Sequence, residues 1–425
     1  MDVSGFKHRG APIRNFDTED TEQDDLRGGH SPWFADIGYL IPPVTEGFRC
    51  DVLIVGAGIT GSLMAEHLTR QGHQVAIIDR EIPGGGSTMA STAMLLWEID
   101  RPLRELVERY GFERAARGYR ASLDAVRGLQ SLVAELGLPC QMRNKQSLYL
   151  AGGGSDASLR DEHALRDRAG LPGNFLDHQA LLETFEIARA GAILSTGSAD
   201  ADPVELARGL LDIAIRRGAR IFNADATGFD PASDAVGVQL ANSRQIEARH
   251  VILATGYAMP DIVRSRVQKT TSSWAIATAP QPDTLWRDGV LIWEDRENYL
   301  YARTTLHGRI IIGGEDDDSV VEPDARDALI PQKAAKLSQR LAALWPRAKQ
   351  EIDFKWSGAF DTTSDGLPLI GPVPGAKGLY AAYGYGGNGI TFSYLAAQLI
   401  GALIAGGTSP LVKDFALDRD GTSGK

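Results

Sequence analysis

Three glycines and an aspartate, Gly56, Gly58, Gly61 and Asp79, have the types and spacing to hold a dinucleotide. Gly56 allows a tight turn, Gly58 lets the backbone approach a pyrophosphate, and Gly61 lets a helix pack closely on a strand. Ile59 and Thr60 open that helix, whose positive N-terminal end suits a diphosphate. Asp79, with Arg80 after it, lies about twenty residues on, where a carboxylate accepts hydrogen bonds from a ribose 2′-hydroxyl and repels a 2′-phosphate. The expected ligand is an adenosine dinucleotide, FAD or NAD rather than NADP.

The elements needed to position these residues are present around them. Val52 to Val55 is an apolar, β-branched run, a helix-compatible stretch follows Gly61, and Val75 to Ile78 returns as a second strand capped by Asp79. Gly86, Ser87 and Thr88 belong to a flexible glycine loop able to pass close to a cofactor. Asp202-Pro203 reads as a helix start. His250 to Ala254 reads as a buried strand ending at Thr255-Gly256, a second point of backbone approach. Leu379 to Tyr383 reads as a strand, Gly384 to Gly389 as a glycine loop, and Ile390 to Ala405 as a helix. Segments near 272–279, 290–294, 299–303 and 309–313 are β-prone and separated by turn residues, as in an antiparallel sheet. The expected fold is α/β, a Rossmann-type dinucleotide domain (48–140, 196–260 and 355–419) interleaved with an antiparallel α+β substrate domain (141–195 and 261–354). Residues 1–47 read as an arm, mobile at its acidic start, with Trp33, Phe34, Tyr39, Leu40 and Ile41 packed on a domain surface.

Composition narrows the class. The 425 residues are 43% hydrophobic and 23% charged, as in a soluble globular protein, and the length implies two domains. A net charge of −11 disfavours nucleic acid and anionic membrane as partners. Cys50 and Cys140 are too few for a disulfide framework, and neither they nor the eight histidines have metal-ligand spacing, so no metal is expected. A cytoplasmic location is expected, because the N-terminus lacks an apolar signal region. The longest apolar stretch, Tyr394 to Ala405, is too short to span a bilayer.

Together, in order, the fingerprint with its acid, Gly86-Ser87, Asp202-Pro203, Ala254-Thr255-Gly256, Asp365-Gly366-Leu367-Pro368-Leu369-Ile370-Gly371 and Gly384 to Gly389 resemble the D-amino-acid-oxidase superfamily of FAD-dependent oxidoreductases. The likeness is to the branch of glycine, sarcosine and gamma-glutamylputrescine oxidases, and it runs from about Asp51 to Arg419. It implies that Gly384, Gly386, Gly387, Asn388, Gly389, Ile390 and Thr391 lie by the isoalloxazine ring, where N–H groups and a helix N-terminus stabilise negative charge. It also implies oxidation of an amine or amino acid by hydride transfer to the flavin, giving an imine that hydrolyses, with oxygen or another acceptor reoxidising FAD.

The departures from that pattern are informative. Gly358-Ala359-Phe360 stands where sarcosine oxidases carry a flavin-linking cysteine, and the loop from Gly84 to Ser91 has no histidine, so FAD is expected to be non-covalent. Ala93, Leu96 and Thr391 replace the cations that grip a small carboxylate in sarcosine oxidase, and no lysine occurs in Arg309 to Gly313, where that branch has an oxygen-activating one.

On the substrate side, alternation puts Tyr299, Tyr301 and Arg303 on one strand face. The resemblance implies that an arginine of this region, here Arg303, grips a substrate carboxylate; a surface salt bridge is the alternative. Tyr301 with Tyr299 forms an aromatic wall or ordinary sheet packing. Asn388 is a candidate donor to flavin or substrate, or an asparagine tolerating a left-handed turn. Met94, Leu96 and Trp97 form an apolar floor to the pocket, or core. Glu315 to Asp318 reads as a solvated loop, with a polyamine-attracting patch as the alternative. Two other functional readings stay open: a flavin-binding electron-relay or assembly subunit, and an NAD enzyme, which gives no reason for the third glycine loop.

Overall fold

The computed structural model describes residues 26–33, 41–232, 234–263 and 265–419. The acidic start of the arm and its Phe34, Tyr39 and Leu40 lie outside the described residues.

Phe48–Val55 is the centre of an eight-stranded sheet, flanked in parallel by Val75–Asp79 and Gln245–Leu253. Arg220–Asn223 extends the sheet beyond Val75–Asp79, and Leu379–Tyr383 extends it beyond Gln245–Leu253. Parallel strands are covered on both faces, which accounts for the continuous apolar run at Val52 to Val55. Val52 and Ile54 pack under the helices Ile59–Arg70, Phe112–Leu136, Pro203–Arg216 and Gly389–Ile404. Leu53 and Val55 face the other way, onto Val236, Val238 and Leu240 of a small antiparallel meander.

Local rules explain the helix boundaries. Asp202 caps its helix, its carboxylate accepting from the N–H groups of Val204 (2.9 Å) and Glu205 (3.0 Å), with Pro203 at the first position. The charged stretch after Arg101 divides into Leu103–Tyr110 and Phe112–Leu136 because Gly111, at φ 76°, breaks it.

The second sheet has ten strands and is mostly antiparallel. Its order runs Arg27–His30, Ile352–Thr363, Gln268–Thr278, Ile310–Asp317, Leu300–Thr304, Leu291–Asp295, Arg143–Ala151, Gly191–Asp200 and Met94–Leu95, with Asn174–Asp177 pairing Gly191–Asp200 off this path. Two segments differ from the expected partition. The strand Ile352–Thr363 belongs to this sheet, so a boundary at 354/355 falls inside it, and Gly191–Asp200 likewise runs across 195/196. Long antiparallel pairing, not local composition, assigns both. The described part of the arm adds an edge strand, and the Trp33 indole donates to the Ser91 carbonyl at 2.7 Å.

Gly386–Ile404 is long and apolar enough to cross a membrane by composition, longer than the apolar stretch the sequence suggests because a 3-10 turn precedes the helix. Most of it is buried against Ile59–Arg70 and Phe112–Leu136, the setting of a core helix.

Candidate functional site

A cavity of about 670 Å³ is lined from both sheets. Its nucleotide end is the glycine fingerprint. Gly56 has φ 106°, and a Cβ there would lie 2.3 Å from the Ala254 carbonyl oxygen; a Cβ on Gly61 would lie 1.8 Å from that of Gly56. The first glycine therefore makes the turn and the third seats the helix. Gly58, Ile59, Thr60, Asp79 and Arg80 line the cavity, whereas Gly61 does not and acts through packing.

Asp79 accepts from Ala57 N–H (2.6 Å) and Glu81 N–H (2.9 Å), bonds that lock its carboxyl at the cavity wall. Burial raises it from 3.8 to about 6, against the pull of those two N–H groups. Thr88 Oγ1 accepts from Ile59 N–H at 3.0 Å and ties the second glycine loop to the fingerprint helix. Beside it Gly86 and Ser87 line the cavity, and the enclosed Ser87 hydroxyl has no hydrogen-bond partner. Thr255 and Gly256 close the same wall. A glycine cradle, an acid at the strand end and an orphaned hydroxyl fit the diphosphate and ribose of FAD.

The final glycine loop borders the cavity through Gly386, Gly387, Gly389 and Ile390. Gly384 lies behind it, in a left-handed turn at φ 67°. Asn388 and Thr391, expected at the cofactor, are turned away from the cavity. Asn388 Nδ2 donates to the carbonyls of Leu96 (3.1 Å) and Glu98 (2.8 Å), and its Oδ1 accepts from Asp100 N–H (3.2 Å). Thr391 Oγ1 donates to the Leu96 carbonyl at 2.8 Å. Both side chains clip the loop to segment 96–100, because that segment has backbone groups needing partners and no strand to supply them.

The clip positions a residue that the sequence reading missed. The Asp100 carboxylate accepts from Gly387 N–H at 2.5 Å and faces the cavity. Desolvation within the cavity raises its carboxyl, against the pull of that N–H, while the residue stays open to the cavity itself. No local motif marks Asp100.

On the opposite wall, Tyr299 and Tyr301 line the cavity with ring centroids 5.8 Å apart. The Tyr301 ring lies across Gly313, where a Cβ would meet it at 2.5 Å, and its hydroxyl is 3.3 Å from Ser273 Oγ. Trp293, opposite Tyr301 in the register, stacks on Tyr149 at 3.8 Å. Met94 and Leu96 also line the cavity. Trp97 does not: it is fully buried, its indole donating to the Thr196 carbonyl at 2.8 Å.

Arg303 occupies the strand face that alternation predicts but does not present a free fork. Its Nη1 donates to the carbonyls of Ala93 (2.7 Å), Ala201 (2.9 Å) and Thr92 (3.1 Å), and its Nε lies 3.6 Å from Asp200. Segment 92–93 and Ala201 cover the end of that face, so the side chain is 3% exposed and does not line the cavity.

The acidic run at 315–318 is likewise not a solvated loop, because the strand Ile310–Asp317 extends into it. Asp316 lines the cavity, and burial with the nearby Asp100 charge raises it to about 6.

Comparison with known proteins bears on the family and the fold. Gamma-glutamylputrescine oxidoreductase of Escherichia coli (strain K12) is 26% identical over 374 residues, covering 85% of each chain. Glycine oxidase of Geobacillus kaustophilus (strain HTA426) is 28% identical, covering 84% of this chain and 93% of its own. The crystal structure of glycine oxidase from Geobacillus kaustophilus superposes with a TM-score of 0.73 at 24% identity, over 87% of this chain and 99% of that one. The family described as FAD dependent oxidoreductase matches residues 51–403. With the dinucleotide cradle, the interleaved sheets and this match in agreement, the chain belongs to that family of FAD-dependent oxidoreductases.

Proposed function

We propose that the protein oxidises the C–N bond of an amine or amino acid, with non-covalent FAD as its cofactor. One observation carries this reading: a single cavity joins the glycine cradle to a wall of Tyr299, Tyr301 and Trp293, so a small organic substrate has a place beside the cofactor. No cysteine or histidine is among the described residues lining it, which supports non-covalent attachment.

FAD, when bound, supplies the two-electron acceptor for the hydride that leaves the carbon next to nitrogen, and oxygen or another acceptor takes those electrons on. The nitrogen lone pair becomes the new C=N bond, and water converts the imine to a carbonyl compound and free amine. Gly56, Gly58, Thr60, Asp79 and Ser87 would hold the nucleotide. Tyr299 and Tyr301 exclude water and orient the substrate C–H bond, and the apolar surroundings of Met94 and Leu96 favour the uncharged, reactive form of the amine. Arg303 and Asn388 are positioning residues, which hold segments 92–93 and 96–100 against the cavity. The two thiols lie outside the cavity and unpaired, which suits a reducing, cytoplasmic setting.

The test is anaerobic mixing of the flavin-loaded protein with a panel of primary amines, secondary amines and amino acids. At least one compound should bleach the flavin absorbance; if none does, this function is wrong.

A further inference from the structure

Four consecutive acids, Glu315 to Asp318, meet four different fates. Glu315 pairs with Arg340 at 3.0 Å, Asp317 lies 3.6 Å from Lys333, and Asp318 pairs with Lys269. Asp316 goes the other way, into the cavity. A bulge turns it there: Ser272 pairs with Asp317 but Trp274 pairs with Gly314, and Gly314 (φ 134°) and Glu315 (φ 59°) take left-handed backbone conformations. The Ser273 hydroxyl lies near enough to lower the Asp316 carboxyl, yet Asp316 Oδ1 is enclosed and has no hydrogen-bond partner. Such an oxygen is costly unless a ligand satisfies it.

The surroundings specify that ligand. Asp100 is a second carboxylate in the same cavity, close enough for its charge to raise Asp316. Trp293, 4% exposed, lines the cavity together with Tyr299 and with Tyr301, its register partner, and supplies aromatic surface there. No lysine or histidine is among the described residues that line the cavity. The two lining arginines are engaged: Arg80 adjoins Asp79 at the nucleotide end, and Arg326 Nε donates to Asp327 (2.7 Å) and Ser357 (3.0 Å). Arg303 is committed to backbone carbonyls. Among the described residues, a substrate carboxylate would meet two like charges and no available cation, whereas an ammonium meets two carboxylates and aromatic faces.

Resting on the amine-oxidation reading above, we propose that the substrate is an alkyl diamine or polyamine without a carboxylate, its second, protonated nitrogen held by Asp316 against Tyr301 and Trp293 while the first reacts. Asp100, bonded to the final glycine loop, is the second carboxylate lining the same cavity. The oxidation balances as before, with the distal ammonium unchanged.

The experiment is anaerobic titration of the flavin-loaded protein with diamines of three to five carbons, n-butylamine, glycine and sarcosine. A diamine should half-reduce the flavin at a concentration about tenfold or more below that for n-butylamine, the effect of one charge-assisted bond, with the amino acids weakest. In Asp316→Asn the advantage of the diamine should collapse to about twofold, and Asp316→Glu should restore part of it. Should the Asn variant not retain FAD, the wild-type ranking decides. Amino acids acting at lower concentration than every diamine, or an undiminished diamine advantage in Asp316→Asn, would overturn the assignment while leaving amine oxidation standing. Flavin that no compound reduces would remove amine oxidation itself.

Discussion

At the scale of single residues, what a side chain does is decided by who already holds it. Arg303 has the guanidinium fork that suits a carboxylate, but three backbone carbonyls take one of its nitrogens. Arg303→Lys should therefore lower stability by about 1 to 3 kcal/mol through unsatisfied buried carbonyls. It should leave KM equally affected for substrates with and without a carboxylate. Denaturant midpoints and a paired KM comparison check this, and a loss confined to carboxylate substrates would return Arg303 to the substrate.

Asp316 carries the opposite prediction. Its folded value, about 6, lies above the ordinary 3.8; burial is the main cause and the Asp100 charge adds to it, while Ser273, Lys333 and Arg340 pull it down. A raised acid contributes stability that is fully present below about pH 4 and lost as pH rises through about 6. Without ligand, Asp316→Asn should then have the higher thermal midpoint at pH 8, with the difference vanishing toward pH 4. For the wild type, the Kd of a diamine should rise as pH falls through about 6. A less stable variant at pH 8 would mean that the carboxylate is paired within the protein.

At the scale of elements, the decisive contact is between the fingerprint helix and the first strand. Gly61 lets Ile59–Arg70 lie on the Gly56 carbonyl, and a methyl group at 1.8 Å from that oxygen has only backbone to displace. Gly61→Ala should cost about 1 to 3 kcal/mol and tilt the helix N-terminus away from the diphosphate. The purified variant should carry less FAD; full FAD content and an unchanged unfolding midpoint would show that the helix adapts freely. Thr88 makes a comparable link by side chain, so two loops far apart in the chain share one edge of the cavity.

The whole molecule works by threading the chain repeatedly between two sheets, so each wall of the cavity comes from segments distant in sequence. Asn388 is one of the ties, joining the final glycine loop to segment 96–100 through three hydrogen bonds. Because it does not line the cavity, Asn388→Ala should retain FAD while loosening the loop on segment 96–100, leaving the Asp100–Gly387 and Thr391–Leu96 bonds as the remaining ties. Turnover should fall with bound flavin content unchanged, and the flavin visible spectrum should shift. An unaltered spectrum and kcat would make the tie dispensable.

The elements of the nucleotide half were legible in the residues alone. Strand, turn, helix, strand and acid from Asp51 to Asp79 are contiguous, and each glycine acts on its immediate neighbours, so local spacing is sufficient. The strand Leu379–Tyr383 and the helix start at Asp202-Pro203 were legible for the same reason. Alternation also placed Tyr299, Tyr301 and Arg303 on one face, but not what covers the end of that face. Only the tertiary structure decided that Arg303 and Asn388 hold backbone, that Ile352–Thr363 joins the antiparallel sheet, and that Asp100 and Asp316 meet in one cavity. Those outcomes depend on partners far away in the sequence and on a bulge that turns one of four adjacent acids inward. A side chain's chemistry is local, but its available partners are set by long-range packing.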